Sequence, residues 1–217
     1  GIRVRSRAEW VEEGENNTQY FEQLLKSSKK KTVITVWSSC FIKVDKATGP
    51  DGIPGRFLKR FAEELAPVLS CIFQQSLDTG LVPSDWRLGN ITPIFKKGDR
   101  STPSNYCPVS ITSICSKLIE HIILSQIMDH YDTNNILHDS QHGFRSGRSC
   151  ETQLIMTAED LARSLDHKDQ VDAIALDFSK AFDRVPHERL LLKLRHYGIQ
   201  GQLLQWIRSF LTDRSQR

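Results

Sequence analysis

A short apolar run, Ala173 to Leu176 in the segment QVDAIALDF, ends abruptly on a carboxylate, Asp177, in a chain whose other apolar residues mostly recur at helical spacing. Four residues are too few for a helix and suit a buried strand, which needs a sheet to receive it. A strand among amphipathic helices defines an α+β class. Asp177 at the end of such a strand has two readings. It caps the next helix, or it presents a carboxylate where open sheets commonly offer side chains to ligands and metals. Asp183 is a poor second ligand for the same ion. If helix begins near Ser179, the six-residue offset turns it roughly 240 degrees away.

The 217 residues, 39% of them hydrophobic, are enough for one large or two small domains with a real core. A net charge of +3 is too weak by itself to single out nucleic acid as a partner. Five cysteines, at 40, 71, 107, 115 and 150, form no Cys-x-x-Cys pair and read as reduced thiols. The opening lacks a signal-peptide pattern and no apolar run is of membrane-spanning length, so an intracellular product without membrane partners is expected. The sequons at Asn16 and Asn90 then read as chance.

Along the chain, Phe21, Leu24 and Leu25 form a short helical stripe after the possible cap Thr18, and the basic tract Lys29–Lys31 reads as a solvated helix end or a phosphate-contacting arm. TVITVW alternates like a strand, and KATGPDGIP marks a boundary near Lys46. From Arg56 to Leu77 the positions Phe57, Leu58, Phe61, Leu65, Leu69, Ile72, Phe73 and Leu77 predict a core-facing helix that Pro67 bends or splits. LGNITPIFKKGD predicts a strand leading into a basic hairpin tip at Lys96, Lys97 and Gly98. A long helix is expected from Ser113 to Tyr131, with Ile114, Leu118, Ile119, Ile122 and Ile123 inward and Lys117, Glu120 and His121 more outward. Another is expected from Cys150 to His167, capped by Ser149. Between them, SQHGFRSGRS places Arg145 and Arg148 among glycines in a loop that either holds phosphate or simply turns. Two further helices follow, the first stopped by Gly198.

LDFSKAFDRVPH resembles the first catalytic palm motif of reverse transcriptases from non-LTR (LINE-type) retrotransposons. ATGPDGIP, VPSDWRLGNITPIFKKGD, NYCPVSITSICSKLIE and QHGFRSGRS are similar to successive fingers and palm blocks of those enzymes, in the family's order, from about Ala47 to Arg217. RSRAEWVEEGENNTQYF is similar to the segment preceding the polymerase domain. The resemblance implies a pre-polymerase linker over 1–45 and, over 46–217, the fingers and partial palm of a right-hand polymerase. It makes Asp177 the catalytic carboxylate and a ligand to Mg2+, with the Phe178 carbonyl beside the ion. Phe182 becomes the aromatic under the sugar that excludes a 2′-hydroxyl. Lys96 and Lys97 become a fingers tip over the incoming deoxynucleoside triphosphate, and Gln141, Arg145 and Arg148 line the path of RNA template and DNA primer. A retrotransposon product of this kind is expected in cytoplasm and nucleus.

Two departures qualify that expectation. Cys107, in NYCPVS, stands where the family usually has an arginine that grips nucleotide phosphate, a contact a thiol cannot replace. One transition in a CG-initial arginine codon makes this change, so decay of an element copy and a tolerated variant are both open. Neither the PQG block nor the paired-aspartate ADD string occurs in these residues. The expectation is a polymerase fragment that lacks the rest of the palm and the thumb, inactive alone because a two-ion site needs several converging carboxylates. The alternative is a noncatalytic nucleic-acid-binding or structural product of a decayed element. A metal-dependent phosphatase is disfavoured because Ser179 replaces the second aspartate of its usual Asp-x-Asp pattern.

Overall fold

The computed structural model describes residues 42–217. The stripe at Phe21–Leu25, the lysine tract and the TVITVW strand therefore lie outside the described residues. Within them the chain is mixed α+β, with seven α-helices and a three-stranded sheet. In order these are α1 (Gly55–Arg60), α2 (Ala62–Thr79), α3 (Ser84–Arg87), β1 (Leu88–Phe95), a 3-10 turn at Pro103–Asn105, β2 (Tyr106–Ile111), α4 (Ile114–Thr133), α5 (Cys150–Asp166), α6 (His187–His196), α7 (Gly201–Leu211) and β3 (Ser215–Gln216). They form two compact units. One holds the residues up to Gln126 together with Pro186–Arg217, and the other is Ile127–Val185.

In the first unit α2 packs on α7, and α7 on α6. Phe73, Leu77, Val82, Trp86, Leu203 and Trp206 are buried there, with Phe73 edge-on to Trp86 at 5.7 Å. Buried serines join the layers. Trp206 Nε1 donates to Ser76 Oγ at 2.9 Å, and Ser209 Oγ accepts from Val82 N at 3.0 Å and Arg87 Nη2 at 2.9 Å. Gly80 ends α2 in the left-handed region (φ 66°), and a Cβ there would lie 2.9 Å from Gln205 Cβ, so glycine answers both the turn and the close approach of α7.

The expected 56–77 helix is interrupted, but at Phe61 (φ −106°, ψ 31°) rather than at Pro67. Pro67 sits in the second turn of α2, where its missing N–H costs the one hydrogen bond to the Glu63 carbonyl. Phe57, Phe61 and Ile72, expected inward, are exposed, while Ala62 and Ala66 are buried. The helix axis is reset at the break, so one continuous 3.6-residue stripe does not carry across it.

The α4 stripe is as expected: Ile114, Leu118, Ile119, Ile122 and Ile123 are all buried. Ser113 Oγ accepts from the N–H groups of Cys115 and Ser116 and caps the helix start. The TGPDG loop lies against that start so closely that a Cβ on Gly49 would stand 2.7 Å from the Ser113 backbone. Burial pushes the Cys115 thiol up to about 11, with the charge of Asp51 adding to the effect.

β1 pairs antiparallel with β2 from Asn90–Ile111 to Phe95–Tyr106, and parallel with β3 at Leu88 and Gly89. The order β2-β1-β3 leaves β2 at an edge, which tolerates Pro108. Arg217 extends the β3 side, donating from its backbone N to Gly89 O and accepting from Ile91 N.

The second unit differs in kind. α5 begins at Ser149 with a capping box, Thr152 N donating to Ser149 Oγ and Ser149 N to Thr152 Oγ1, yet none of its residues is buried. The strand expected at Ala173–Leu176 is not formed. Residues 171–178 lack regular structure, and Ile174 and Leu176 are 83% and 84% exposed. No helix begins near Ser179 either. Residues 179–184 turn, Lys180 is left-handed (φ 52°), and the next helix waits until His187 after Pro186. The angular argument that set Asp183 apart from Asp177 therefore has no helix to rest on.

Candidate nucleotide and nucleic-acid site

The β1–β2 hairpin carries the basic tip. Lys96, Lys97 and Arg100 are exposed there, and Gly98 turns the chain with φ 92°. The tip is held from both flanks. Asn105 Nδ2 donates to Asp99 O, Tyr106 Oη donates to Arg100 O, and Lys96 N donates to Asn105 O. Phe95 and Tyr106 meet edge-on at 5.5 Å, and the Arg100 guanidinium lies 5.2 Å over the Phe95 ring. Ser101 donates from its hydroxyl and its N–H to Asp99, which lowers that carboxyl below its ordinary value. A fixed carboxylate thus offsets part of the tip's positive charge.

Arg100, Tyr106 and Asn105 were not among the residues singled out from sequence. The available signal was a pair of aromatics, Phe95 and Tyr106, bracketing a basic loop. Cys107, half-buried on β2, faces Ile94 across the hairpin. Successive strand residues alternate faces, so the Phe95–Tyr106 pair and the Arg100 stacked on it occupy the opposite side. Arg100 is therefore not placed to stand in for an arginine at 107.

In the second unit, the loop of Gln141, Arg145 and Arg148 is built inward on itself. Arg145 donates to Asp132 Oδ1 and to His138 O, each at 3.2 Å. Arg148 donates to the Asp139 carboxylate at 2.9 Å and to its carbonyl, and faces His142 Nε2 at 3.4 Å. His142, buried, shares a 2.7 Å hydrogen bond through Nδ1 with Thr152 Oγ1. Because Thr152 Oγ1 already donates to Ser149 O, Nδ1 is the donor and Nε2 is left to accept from Arg148. Both arginines thus have acidic partners and Gln141 is exposed, so this loop offers less free positive charge than its composition suggests.

Asp177, Phe178 and Phe182 lie in the unpaired segment of the same unit, all exposed. Phe182 meets Phe144 edge-on at 6.0 Å, Phe144 being held at φ 61°. Among the described residues no three potential ligands (His, Cys, Asp or Glu) gather into a metal site. Asp177 supplies one carboxylate, whereas phosphoryl transfer through two divalent ions needs several that converge. Among the described residues, too, no helix is long and apolar enough to cross a membrane.

The chain belongs to the reverse transcriptase (RNA-dependent DNA polymerase) family, whose model matches residues 94–217. This agrees with the resemblance to non-LTR retrotransposon enzymes. Its curated relatives include the "Probable RNA-directed DNA polymerase from transposon BS" of Drosophila melanogaster, 29% identical over 180 residues. Also similar, and of the same fly, are the "RNA-directed DNA polymerase from mobile element jockey", 29% identical over 175 residues, and the "Probable RNA-directed DNA polymerase from transposon X-element", 31% identical over 152. These alignments cover 80%, 80% and 70% of this chain, but the chain spans only 19%, 19% and 17% of the three relatives.

Proposed function

We propose that these residues supply the fingers and part of the palm of an RNA-directed DNA polymerase of a non-LTR retrotransposon. That enzyme would use an RNA template, a DNA primer and deoxynucleoside triphosphates. The observation that carries this reading is the family match over 94–217, which takes in the basic hairpin tip and the Asp177 segment together. Lys96 and Lys97, exposed on a braced turn, suit contacts with triphosphate. Asp177 would contribute one carboxylate toward Mg2+ within the whole polymerase, and Phe182 would pack under the sugar. The apolar run before Asp177 becomes a strand when sheet partners are supplied, since a single strand without them has no ladder to join.

The test is a chimera in which these residues replace the matching segment of the jockey polymerase, assayed by primer extension on RNA with Mg2+. Extension is expected, with Asp177→Ala reducing it more than about 100-fold. Phe182→Ala should keep extension while admitting ribonucleotides. Cys107→Arg should tighten apparent nucleotide affinity about ten- to a hundredfold through a charge-assisted phosphate contact. An Asp177→Ala chimera that extends as well as its parent removes the catalytic reading.

A second reading, a noncatalytic nucleic-acid-binding product, draws on the thiol at Cys107 and on the single carboxylate at Asp177. It predicts a chimera that binds primer–template with the usual loss of affinity in salt and extends nothing even with Cys107→Arg.

A further inference from the structure

The helix α6 carries a charge that its surroundings do not balance. From His187 to Leu211, which takes in α6 and α7, the only carboxylate is Glu188, against Arg189, Lys193, Arg195 and Arg208. Glu188 is taken up by Arg208 of α7, whose Nη1 and Nη2 donate to its two oxygens at 2.5 and 3.1 Å. Arg189, Lys193 and Arg195 are exposed and make no ion pair among the described residues. The helix macrodipole favours cations in a last turn, which is reason enough for Lys193 and Arg195. Arg189 stands in the first turn, where the same dipole opposes it and where the one acid already has its partner. A cation set against the dipole and left unpaired points to an anion from outside the chain.

The arrangement says which anion. Arg189 to Arg195 covers about 9 Å of helix axis, so the cations suit successive phosphates of one strand better than one small anion. Arg189, Lys193 and His196 share a face at i, i+4 and i+7, and Arg195 flanks it. His196 is exposed, its ring 5.5 Å from that of Tyr197, and Lys193 Nζ lies 5.8 Å over the Tyr197 ring. Cations along a backbone path with an exposed ring beside them match single-stranded nucleic acid, whose phosphates meet the cations while a base stacks on the ring. An anionic lipid surface would ask for more aliphatic area than the one exposed residue of that kind on α6, Leu192.

We propose that the outer face of α6 binds single-stranded RNA, with Arg189, Lys193 and Arg195 on its phosphates and a base on His196. The choice of RNA rests on the polymerase reading, but the site uses neither the hairpin tip nor Asp177, and its test reads binding alone, so the outcome of primer extension does not decide it. The test is a filter-binding titration of the full chain with a labelled single-stranded RNA over a range of salt. Replacing Arg189, Lys193 and Arg195 together by glutamine should weaken binding at least about tenfold at low salt and make the slope of log affinity against log salt shallower by about 2. Arg189→Lys with Arg195→Lys should keep the parent's slope. His196→Ala should weaken binding at least about fivefold with the slope unchanged, and His196→Phe should restore it. A triple glutamine variant with the parent's slope and affinity would overturn the proposal, as would a slope lost equally in the lysine variant, which would mark a structural role. A triple variant that loses only its binding to anionic phospholipid vesicles would assign the face to lipid instead.

Discussion

The helices α4 and α5 show how far an amphipathic pattern reaches toward a core. Both carry apolar residues at helical spacing, and both start at a serine cap. In the first unit Ile119 of α4 is 1% exposed. In the second, Leu154, Ile155 and Leu165 of α5 are each about two-thirds exposed, and the Ala173–Leu176 run lies open nearby in sequence. The pattern selects which face of a helix is apolar. Burial needs a second surface, and in the first unit the TGPDG loop and the start of α1 lie against the start of α4.

The largest effects should therefore fall in the first unit. Trp206→Ala removes a buried indole and its hydrogen bond to Ser76, and should cost about 3–5 kcal/mol in denaturant unfolding. A cost near zero would mean that the α2–α7 layer is not the core. Next comes Gly49→Ala. Its Cβ would stand 2.7 Å from the backbone of Ser113, so about 1–3 kcal/mol should be lost as the loop is pushed off α4. A neutral result would show that the loop moves freely and contributes little to the first unit.

In the second unit the same chemistry should do far less. Leu154→Ala and Leu165→Ala, on the open face of α5, should change stability by no more than about 0.5 kcal/mol, and polar replacements there should reduce self-association. A large loss from either would mean that α5 has a partner surface. The smallest expected effect concerns pH. Below about pH 9 Cys115 is protonated whether folded or unfolded, so its full contribution to stability is present. As pH rises toward 11 the unfolded chain ionises first and that contribution is lost. Cys115→Ala should flatten this alkaline decline. At pH 9 the buried Cys115 thiol should also alkylate at least about tenfold more slowly than the exposed Cys71 and Cys150.

Local features that close within a few residues were legible in the sequence. The α4 stripe, the Ser149 cap and the basic hairpin tip depend on spacing or on a single turn. Features that depend on distant partners were not. β2 carries a proline that only its edge position explains, and β3 joins the sheet through a register set by β1 rather than by its own two residues. The break at Phe61 moved the helix away from a continuous stripe. For the site, the placement of Lys96 and Lys97 on a turn was readable. The bracing of that turn by Phe95, Tyr106 and Arg100 and the internal pairing of Arg145 and Arg148 required the folded arrangement.

Asp177 brings the comparison to a single segment, because it lies on apolar residues that have composition enough for a strand and no partner to form one. Amide hydrogen exchange across residues 171–178 measures this directly, in the chain as it stands and in the jockey chimera. In the chain alone these amides should exchange at nearly unprotected rates while those of α2, α4 and α7 are slow. In the chimera they should become protected, and primer extension should depend on Asp177. Protection of 171–178 in the chain alone, or none in a chimera that extends primers, would contradict the account.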